Sequence, residues 1–359
     1  MNFCLALIGC VLLTPILYGQ EVQAGLYRPP AGVLVMRYAP ASLDQQIPLE
    51  PMLHLYGRGF KAGRGSLEFI LRAGAEKLHR GRVALDEPGE VFERTVGLPA
   101  PFPRADRLSW TVCLGGETWQ GEARLRWSRF SGRLDYVDGR PRPSYIDLHP
   151  VTFAGGNFKV PVREDGSFAA QVPARVYAVA NVNGAGYSVD AMERWAWDFD
   201  LTADREENFR VGRTELYGMK AFCLLAPTST VFVVFRATAL TRILQHAPER
   251  DARPKDDHTM GRIVEHLKLT PMAVAPELAR ENVKVRLDGV AIPVSDLSRV
   301  VETSGQGIDQ TLYLLQFTPP QRPARGVRHE VLVEVESRDM LHGELVTDFG
   351  QGSAGLYLD

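Results

Sequence analysis

The chain has 359 residues, of which 45% are hydrophobic and 23% are charged, and its formal net charge at pH 7 is −2. This length predicts two or three domains, each large enough to bury a core of its own. Acidic and basic residues are mixed along the chain without a basic stripe, which argues against a nucleic-acid partner and against a polybasic membrane patch.

Residues 1–24 predict a secretory signal peptide. An almost unbroken apolar run extends from Leu5 to Leu17, which is short for a bilayer span, and small residues precede a cleavage point after Ala24. Because the first residues carry no lysine or arginine, an uncleaved anchor remains as the alternative. We therefore expect a secreted, periplasmic or cell-surface protein with no membrane span beyond the signal segment.

Two of the four cysteines, Cys113 and Cys223, remain after removal of the predicted signal. Two cysteines cannot form a disulfide framework, and no C-x-x-C spacing suggests a metal site. We expect both thiols to be buried in strands, with a bridge between domains as the alternative.

Residues 25–128 predict a first β-sandwich of immunoglobulin-like type, because turn-bounded alternating segments recur at short intervals. The clearest signal is a hairpin around Gly115-Gly116, where apolar residues alternate on both sides of a two-residue glycine turn. No stretch of comparable length shows helical periodicity. The predicted fold class is all-β, with tandem immunoglobulin-like or transthyretin-like sandwiches and very little helix.

Residues 129–225 predict a second unit built around two Asp-Gly turns. Its motif residues are Gly132, Asp138-Gly139, Pro141, Pro143, Ile146, Leu148, Asp165-Gly166, Phe168, Val172-Pro173 and Tyr177. This pattern resembles the carboxypeptidase regulatory-like family of small transthyretin-type β-sandwiches, and departs from it at Ala174-Arg175, where Pro-Gly is usual. The resemblance implies a core filled by Phe168 and Tyr177 and an accessory or spacer role without catalytic residues.

The second unit also contains an alternating aromatic stretch. Side chains two apart on a strand share a face, so the pattern places Trp195, Trp197, Phe199 and Leu201 together. The two tryptophans are either core residues or a platform on which a sugar ring could stack.

An acidic cluster follows the tryptophans and has three interpretations. Its members are Asp198, Asp200, Asp204, Glu206 and Glu207. They form a solvated strand face and turn, or a cation site, although the central glycine of a calcium loop is missing, or a catalytic group. The candidate ligand-binding residues are Trp195, Trp197, Asp198, Asp200 and Asp204, and we expect no metal and no cofactor.

Residues 226–263 predict a transition, with a buried strand at Val231–Phe235, a segment at 239–246 that fits either strand or helix, and a charged linker at 248–257. Residues 264–359 predict a third sandwich that resembles bacterial immunoglobulin-like domains of surface proteins. The resemblance is carried by an Asp288-Gly289 turn and a valine-rich alternating strand at 331–335.

No catalytic motif emerges from the sequence. The histidines show no zinc-binding spacing, and no phosphate-binding loop occurs. Gly352-Ser353-Ala354-Gly355 lacks the first glycine of a nucleophile elbow, so we expect a flexible turn there.

The sequence therefore predicts a non-catalytic, secreted or cell-surface β-sandwich protein that acts in binding, adhesion or spacing, with an unknown protein or glycan as its partner. Two alternatives remain. One is a carbohydrate-binding accessory protein of a polysaccharide-processing system, and the other is a hydrolase that uses the acidic cluster at 198–207.

Overall fold

The computed structural model describes most of the chain as β-strands joined by turns. The described residues are 22–23, 33–41, 50–58, 64–85, 91–97, 105–142, 144–149, 158–184, 187, 189–223, 230–246, 274–303 and 309–358. The predicted all-β class is confirmed. Only residues 22–23 of the predicted signal peptide are described, and the predicted linker at 248–257 lies outside the described residues.

The N-terminal part contains two antiparallel sheets of four strands each. One contains β1 (Val22–Gln23), β2 (Val33–Ala41), β3 (Glu50–Arg58) and β6 (Val91–Gly97), in that order. The other contains β4 (Gly65–Ala73), β5 (Glu76–Leu85), β7 (Arg107–Leu114) and β8 (Glu117–Arg124), in the order β5-β4-β7-β8. The predicted hairpin joins β7 to β8. Gly115 and Gly116 have φ of 58° and 85° there, as a type I′ turn requires.

The central part is also a sandwich of two sheets. A three-stranded sheet contains β12 (Ser167–Pro173), β9 (Trp127–Tyr136) and β15 (Arg205–Val211), in that order. Facing it are β11 (Phe158–Pro161), β10 (Ser144–His149), β13 (Val176–Gly184) and β14 (Arg194–Asp200), again in order of pairing.

The core of the central sandwich is aromatic. Phe130, Phe168, Phe199 and Phe209 pack around one another with ring centroids 4.9 to 6.2 Å apart. Tyr177 is also fully buried in this cluster, and its hydroxyl donates a hydrogen bond to the carbonyl of Pro173 at 2.9 Å. The predicted core positions of Phe168 and Tyr177 are therefore confirmed.

The C-terminal part begins with β16 (Thr214–Cys223), β17 (Val231–Ala239) and a short helix, α1 (Leu240–His246). After a 3-10 turn at Arg280–Asn282 come β18 (Val283–Leu287), β19 (Val290–Ile292), β20 (Val294–Thr303), β21 (Asp309–Phe317), β22 (Arg328–Leu341) and β23 (Glu344–Tyr357). The predicted strand at Val231–Phe235 is confirmed, and the ambiguous segment 239–246 is helical from Leu240.

The last strand joins the central and C-terminal parts into one sheet of twelve strands. Strand β23 pairs in parallel with β14, where Trp195 is opposite Gly352, and in parallel with β16, where Thr214 is opposite Gly350. It also pairs antiparallel with β22 along its whole length. The segment Gly352-Ser353-Ala354-Gly355 is therefore a buried strand, and the expected flexible turn is wrong.

Small residues let β23 lie close to β16. A Cβ atom on Gly350 would lie 2.6 Å from the carbonyl oxygen of Thr214, and one on Gly352 would lie 2.9 Å from the Cβ of Leu216. Both distances are shorter than van der Waals contact, so glycine is required for this approach of the two strands.

Polar side chains fasten the joined sheets. Arg205 on β15 donates hydrogen bonds to Glu330 on β22 at 2.6 and 2.7 Å. The buried carboxylate of Asp348 accepts hydrogen bonds from Arg213 at 2.7 Å and from the amide and hydroxyl of Thr241 at 2.9 Å each. Such charge-assisted contacts offset the cost of burying the ionised groups.

The buried cores change between Val211 and Leu216. Most buried apolar side chains from Phe130 to Val211 belong to a core that includes the N-terminal sheet β5-β4-β7-β8, whereas most of those from Leu216 onward belong to the C-terminal core. A third, smaller cluster contains Met192, Leu240, Ile243 and Val274. The division of the chain at 128, 225 and 263 stays a prediction. Strand β16 lies within the predicted second unit but contributes to the C-terminal core.

Both described cysteines are free thiols, so no bridge joins them. The expected burial is wrong for Cys113, which is exposed because it alternates with the buried Val112 along β7. Cys223 is half-buried, and burial raises the pKa of its thiol. Within the described parts of the chain, no helix has the length and apolarity needed to cross a membrane.

Replacing Gly350 by alanine should lower the free energy of unfolding by about 1 to 3 kcal/mol, because the new methyl group meets backbone that cannot move aside. Urea denaturation followed by far-UV circular dichroism measures the loss. The matched control is Glu344→Ala at the exposed start of the same strand, which should change stability by less than about 0.5 kcal/mol. Equal stability of both variants would contradict the close approach.

Candidate functional site

Trp195 and Trp197 form an aromatic group with Tyr217. The two indole rings stack with centroids 5.6 Å apart and planes inclined by 16°. The Tyr217 ring on β16 meets both of them edge-on, with centroids at 5.3 and 5.4 Å. Trp195 is only 5% exposed, whereas Trp197 and Tyr217 are half-buried. The rings therefore pack mainly against one another.

The aromatic stretch does not share one face, which corrects the sequence prediction. Phe199 and Leu201 lie in the core that contains Phe130, whereas Trp197 packs against the C-terminal core. The physical reason is Asp198, whose φ of 52° interrupts the strict alternation of the strand. Side chains before and after Asp198 consequently point to opposite faces of the sheet.

The three candidate aspartates have separate structural partners. Asp198 lies 3.3 Å from the ammonium of Lys220. Asp200 accepts hydrogen bonds from the amide and hydroxyl of Thr202 at 2.8 and 2.7 Å. Asp204 accepts one from the amide of Arg129 at 2.7 Å. These contacts close turns and attach the 200–204 loop to β9.

The glutamates of the acidic cluster do not complete a cation site. Glu207 accepts a hydrogen bond from Arg205 at 3.0 Å and lies 3.8 Å from Arg194. Within the described ranges, no three His, Cys, Asp or Glu side chains are arranged to hold a metal ion. Whether Trp195, Trp197, Asp198, Asp200 and Asp204 bind a ligand stays a prediction.

A second acidic group, which the sequence did not indicate, lies beside the tryptophans. We call it the buried acidic face, formed by Asp147 on β10, Asn181 on β13, Glu193 before β14 and Glu215 on β16. Asp147 is cross-strand partner of Asn181, and Asn181 is partner of Trp195. Asp147 and Glu215 are only 6% and 5% exposed.

The carboxyl groups of this face have strongly altered proton affinities. Burial raises the pKa of Asp147 to about 7, against the opposing charge of Lys159. Burial likewise raises the pKa of Glu215 to about 7, although hydrogen bonds from Tyr187 and Trp195 oppose the change. The pKa of Glu193 lies well above its ordinary value because of burial and then the charge of Glu215. Carboxyl groups in such surroundings exist largely in the protonated form below neutral pH.

Sequence reasoning missed this face because its pattern resembles a solvent-facing one. Asp147 alternates with the buried Ile146 and Leu148, which places it on the side of β10 away from the central core. The signal that could have found it is the cross-strand row of polar residues, which requires knowledge of the strand pairing.

No family model and no curated protein matches the sequence. Weak similarity exists to solved structures. A DUF3823 family protein from Parabacteroides merdae is 9% identical, with 64% of this chain and 98% of that chain covered and a TM-score of 0.18. The major pilin subunit BcpA of Bacillus cereus is 9% identical, with 65% and 69% covered and a TM-score of 0.19.

The adhesin CfaE of enterotoxigenic Escherichia coli, solved as a point mutant, is 8% identical, with 90% and 94% covered and a TM-score of 0.17. TM-scores of this size carry no functional argument. The resemblance of the central unit to carboxypeptidase regulatory-like domains stays a prediction.

Replacing Trp195 by alanine should lower the free energy of unfolding by about 3 to 5 kcal/mol, because the ring is almost fully buried. Trp197→Ala should lower the free energy of unfolding by clearly less, since the Trp197 ring keeps part of its surface in solvent. Urea denaturation of the two variants makes the comparison. A larger loss for Trp197 would contradict the order of burial within the aromatic group.

Proposed function

We propose that the protein is a non-catalytic β-sandwich protein of the cell exterior whose central and C-terminal parts work as one rigid spacer or adhesive body. The observation that carries the proposal is strand β23, which pairs with β14 of the central sandwich and with β16 and β22 of the C-terminal one. A strand shared in this way leaves no hinge between the two parts.

Rigidity is the property that a spacer requires. Domains joined only by a linker move relative to one another unless their interface is large and hydrophobic. Here the connection consists of backbone pairing, reinforced by the Arg205–Glu330 contact and by the Asp348 hydrogen bonds. Bending between the two parts would break this pairing, so the geometry supports a body that transmits position and force.

The side-chain chemistry supports a non-catalytic role. Asp198, Asp200 and Asp204 are engaged by Lys220, Thr202 and Arg129, respectively. Ser353, in the segment that resembles a nucleophile motif, is buried in a strand. The hydrolase alternative therefore gains no support from the geometry. The proposed location outside the cell is supported by the signal-like sequence of residues 1–24.

Single-molecule pulling on the full chain from its two ends tests the spacer proposal. Because β23 is the C-terminal strand and belongs to both parts, its extraction should release Trp127 to Leu358 in one event. Roughly 230 residues at ~3.5 Å each would extend by about 800 Å. Two separate events, for the segments before and after residue 213, would contradict a single rigid body. Gly350→Ala should lower the force of the event, and Glu344→Ala should leave it unchanged.

Carbohydrate binding is the second candidate function. It is favoured by one observation: Trp197 and Tyr217 are half-buried, so each keeps part of its surface in solvent, and their rings stand at 87° to each other, which gives an apolar corner beside Asp198. Aromatic side chains of this kind stack on the apolar faces of sugar rings.

A glycan array with the wild type and Trp197→Ala tests carbohydrate binding. The proposal expects a defined set of glycans that the wild type retains and the variant loses by tenfold or more. The control is Val301→Ala, a change at an exposed apolar residue on β20, which should retain the same set. Wild-type protein that binds no glycan, or binding that Trp197→Ala leaves unchanged, would contradict a sugar platform at this corner.

A further inference from the structure

The buried acidic face brings three carboxyl groups together, and Lys159 is the cation that acts on Asp147 among the described residues. A cross-strand row runs from Lys159 on β11 through Asp147 and Asn181 to Trp195. Glu193 and Glu215 border the row, and electrostatic repulsion from both Glu215 and Asp147 reaches Glu193. The phenol of Tyr187 donates a hydrogen bond to Glu215 at 3.4 Å.

Among the residues that the structure describes, few other titratable groups face this cluster. They are Tyr145 and His149 on β10, Lys159 on β11 and Tyr217 on β16. The positive charge of Arg236 on β17 also acts on Tyr217. The Lys159 ammonium lies 4.4 Å from the centroid of the Tyr145 ring and makes a cation–π contact with it. One ammonium group cannot neutralise three ionised carboxylates.

Asn181 supplies an independent sign that a proton is held in the cluster. The residue is 6% exposed, and its side chain hydrogen-bonds to Glu193. Its carbonyl oxygen Oδ1 is buried, yet within the described residues it has no hydrogen-bond partner. A buried acceptor without a donor destabilises a fold, so a donor is expected there.

Asp147 is placed to supply that donor. It is the cross-strand partner of Asn181, and side chains in this relation lie about 5 Å apart at their Cβ atoms. An ionised carboxylate has only acceptors and would face another acceptor, whereas a protonated carboxyl has one O–H to donate. The protonated form therefore fits the arrangement of the row.

We propose that Asp147, Asn181, Glu193 and Glu215 form a proton-holding latch that fastens β10, β13, β14 and β16 at acidic pH and loosens as the pH rises through neutrality. The latch is independent of whether the protein is a spacer or a sugar-binding protein, because it concerns the stability of the sheet itself. It makes the shared sheet sensitive to the acidity of the surroundings.

The direction of the pH effect follows from the proton affinities. The pKa values of Asp147 and Glu215 are about 7 in the folded protein, whereas their ordinary values, which apply to the unfolded chain, are 3.8 and 4.5. The folded state binds more protons than the unfolded state between these values. The contribution of each group to the free energy of unfolding is therefore fully present below its ordinary pKa and is lost as the pH rises to about 7. Carboxyl groups with lowered pKa, such as Asp138, act in the opposite direction. The comparison of variants therefore isolates the latch.

Substitution by the matching amides tests the proposal. Asp147→Asn and Glu215→Gln keep the shape of the protonated acid and cannot ionise. At pH 4 both variants should unfold at the same urea concentration as the wild type. At pH 8 each should be the more stable, with the unfolding equilibrium constant lowered by about tenfold or more. The control is Asp135→Asn, at an exposed position on β9, which should show no such gain between the two pH values.

The fluorescence of the folded protein gives a second readout that does not depend on the variants being stable. Trp195 adjoins Asn181 in the row, so the emission of the folded wild type should change between pH 5 and pH 8. The change should shrink in Glu215→Gln and persist in Asp135→Asn. A flat wild-type emission over this range would overturn the latch. So would amide variants that are as destabilised at pH 8 as at pH 4.

Discussion

One backbone constraint governs this structure: strand β23 occupies the position between β14 and β16 in the sheet and pairs with both. Trp195 and Gly352 are neighbours in the sheet although they are far apart in the sequence. The adjacent pair, Arg194 and Gln351, is separated by 157 positions and is joined by a hydrogen bond. Contacts of such sequence separation form late and slowly, because a long chain has to close before they stabilise anything. Without β23, one edge of β14 would lack its partner strand, so the central and C-terminal parts complete each other.

The position between β14 and β16 also restricts which residues β23 can contain. Glycines at 350 and 352 allow β16 to approach, and buried polar groups from β23 meet Arg194, which is 1% exposed. Arg194 donates to Gln351 at 3.4 Å and to Ser353 at 3.2 Å and lies 4.4 Å from the centroid of the Phe209 ring. A purely apolar strand would leave this guanidinium with the Glu207 carboxylate at 3.8 Å and without its two hydrogen-bond acceptors, which is costly in a buried site. The polar residues of β23 thus specify the register of the strand as well as its position.

The same features explain what the sequence could predict. Alternation and turn chemistry indicated the Gly115-Gly116 hairpin and the β17 strand, because these depend on local pattern. The core positions of Phe168 and Tyr177 were implied by the family resemblance. From the sequence, residues 348–358 could form either the last strand or an exposed tail, because Gly-Gln-Gly-Ser-Ala-Gly has no hydrophobic period. The strand is confirmed, and its burial comes from pairing with strands distant in the sequence. The reversal of faces at Asp198 depends on one backbone angle that composition does not reveal.

The aromatic pair and the buried acidic face are one physical unit. Trp195 stands next to Asn181 in the sheet, the Tyr187 hydroxyl donates to Glu215 at 3.4 Å, and the Trp195 indole also lowers the pKa of Glu215. Large apolar rings exclude water from the neighbouring carboxyl groups, and exclusion of water disfavours the charged form. The tryptophans therefore do more than fill space: by shielding Glu215 they help to keep a proton within the sheet. Since β14 and β16 are also the two strands that grip β23, the charge state of this face and the attachment of the C-terminal strand depend on the same backbone.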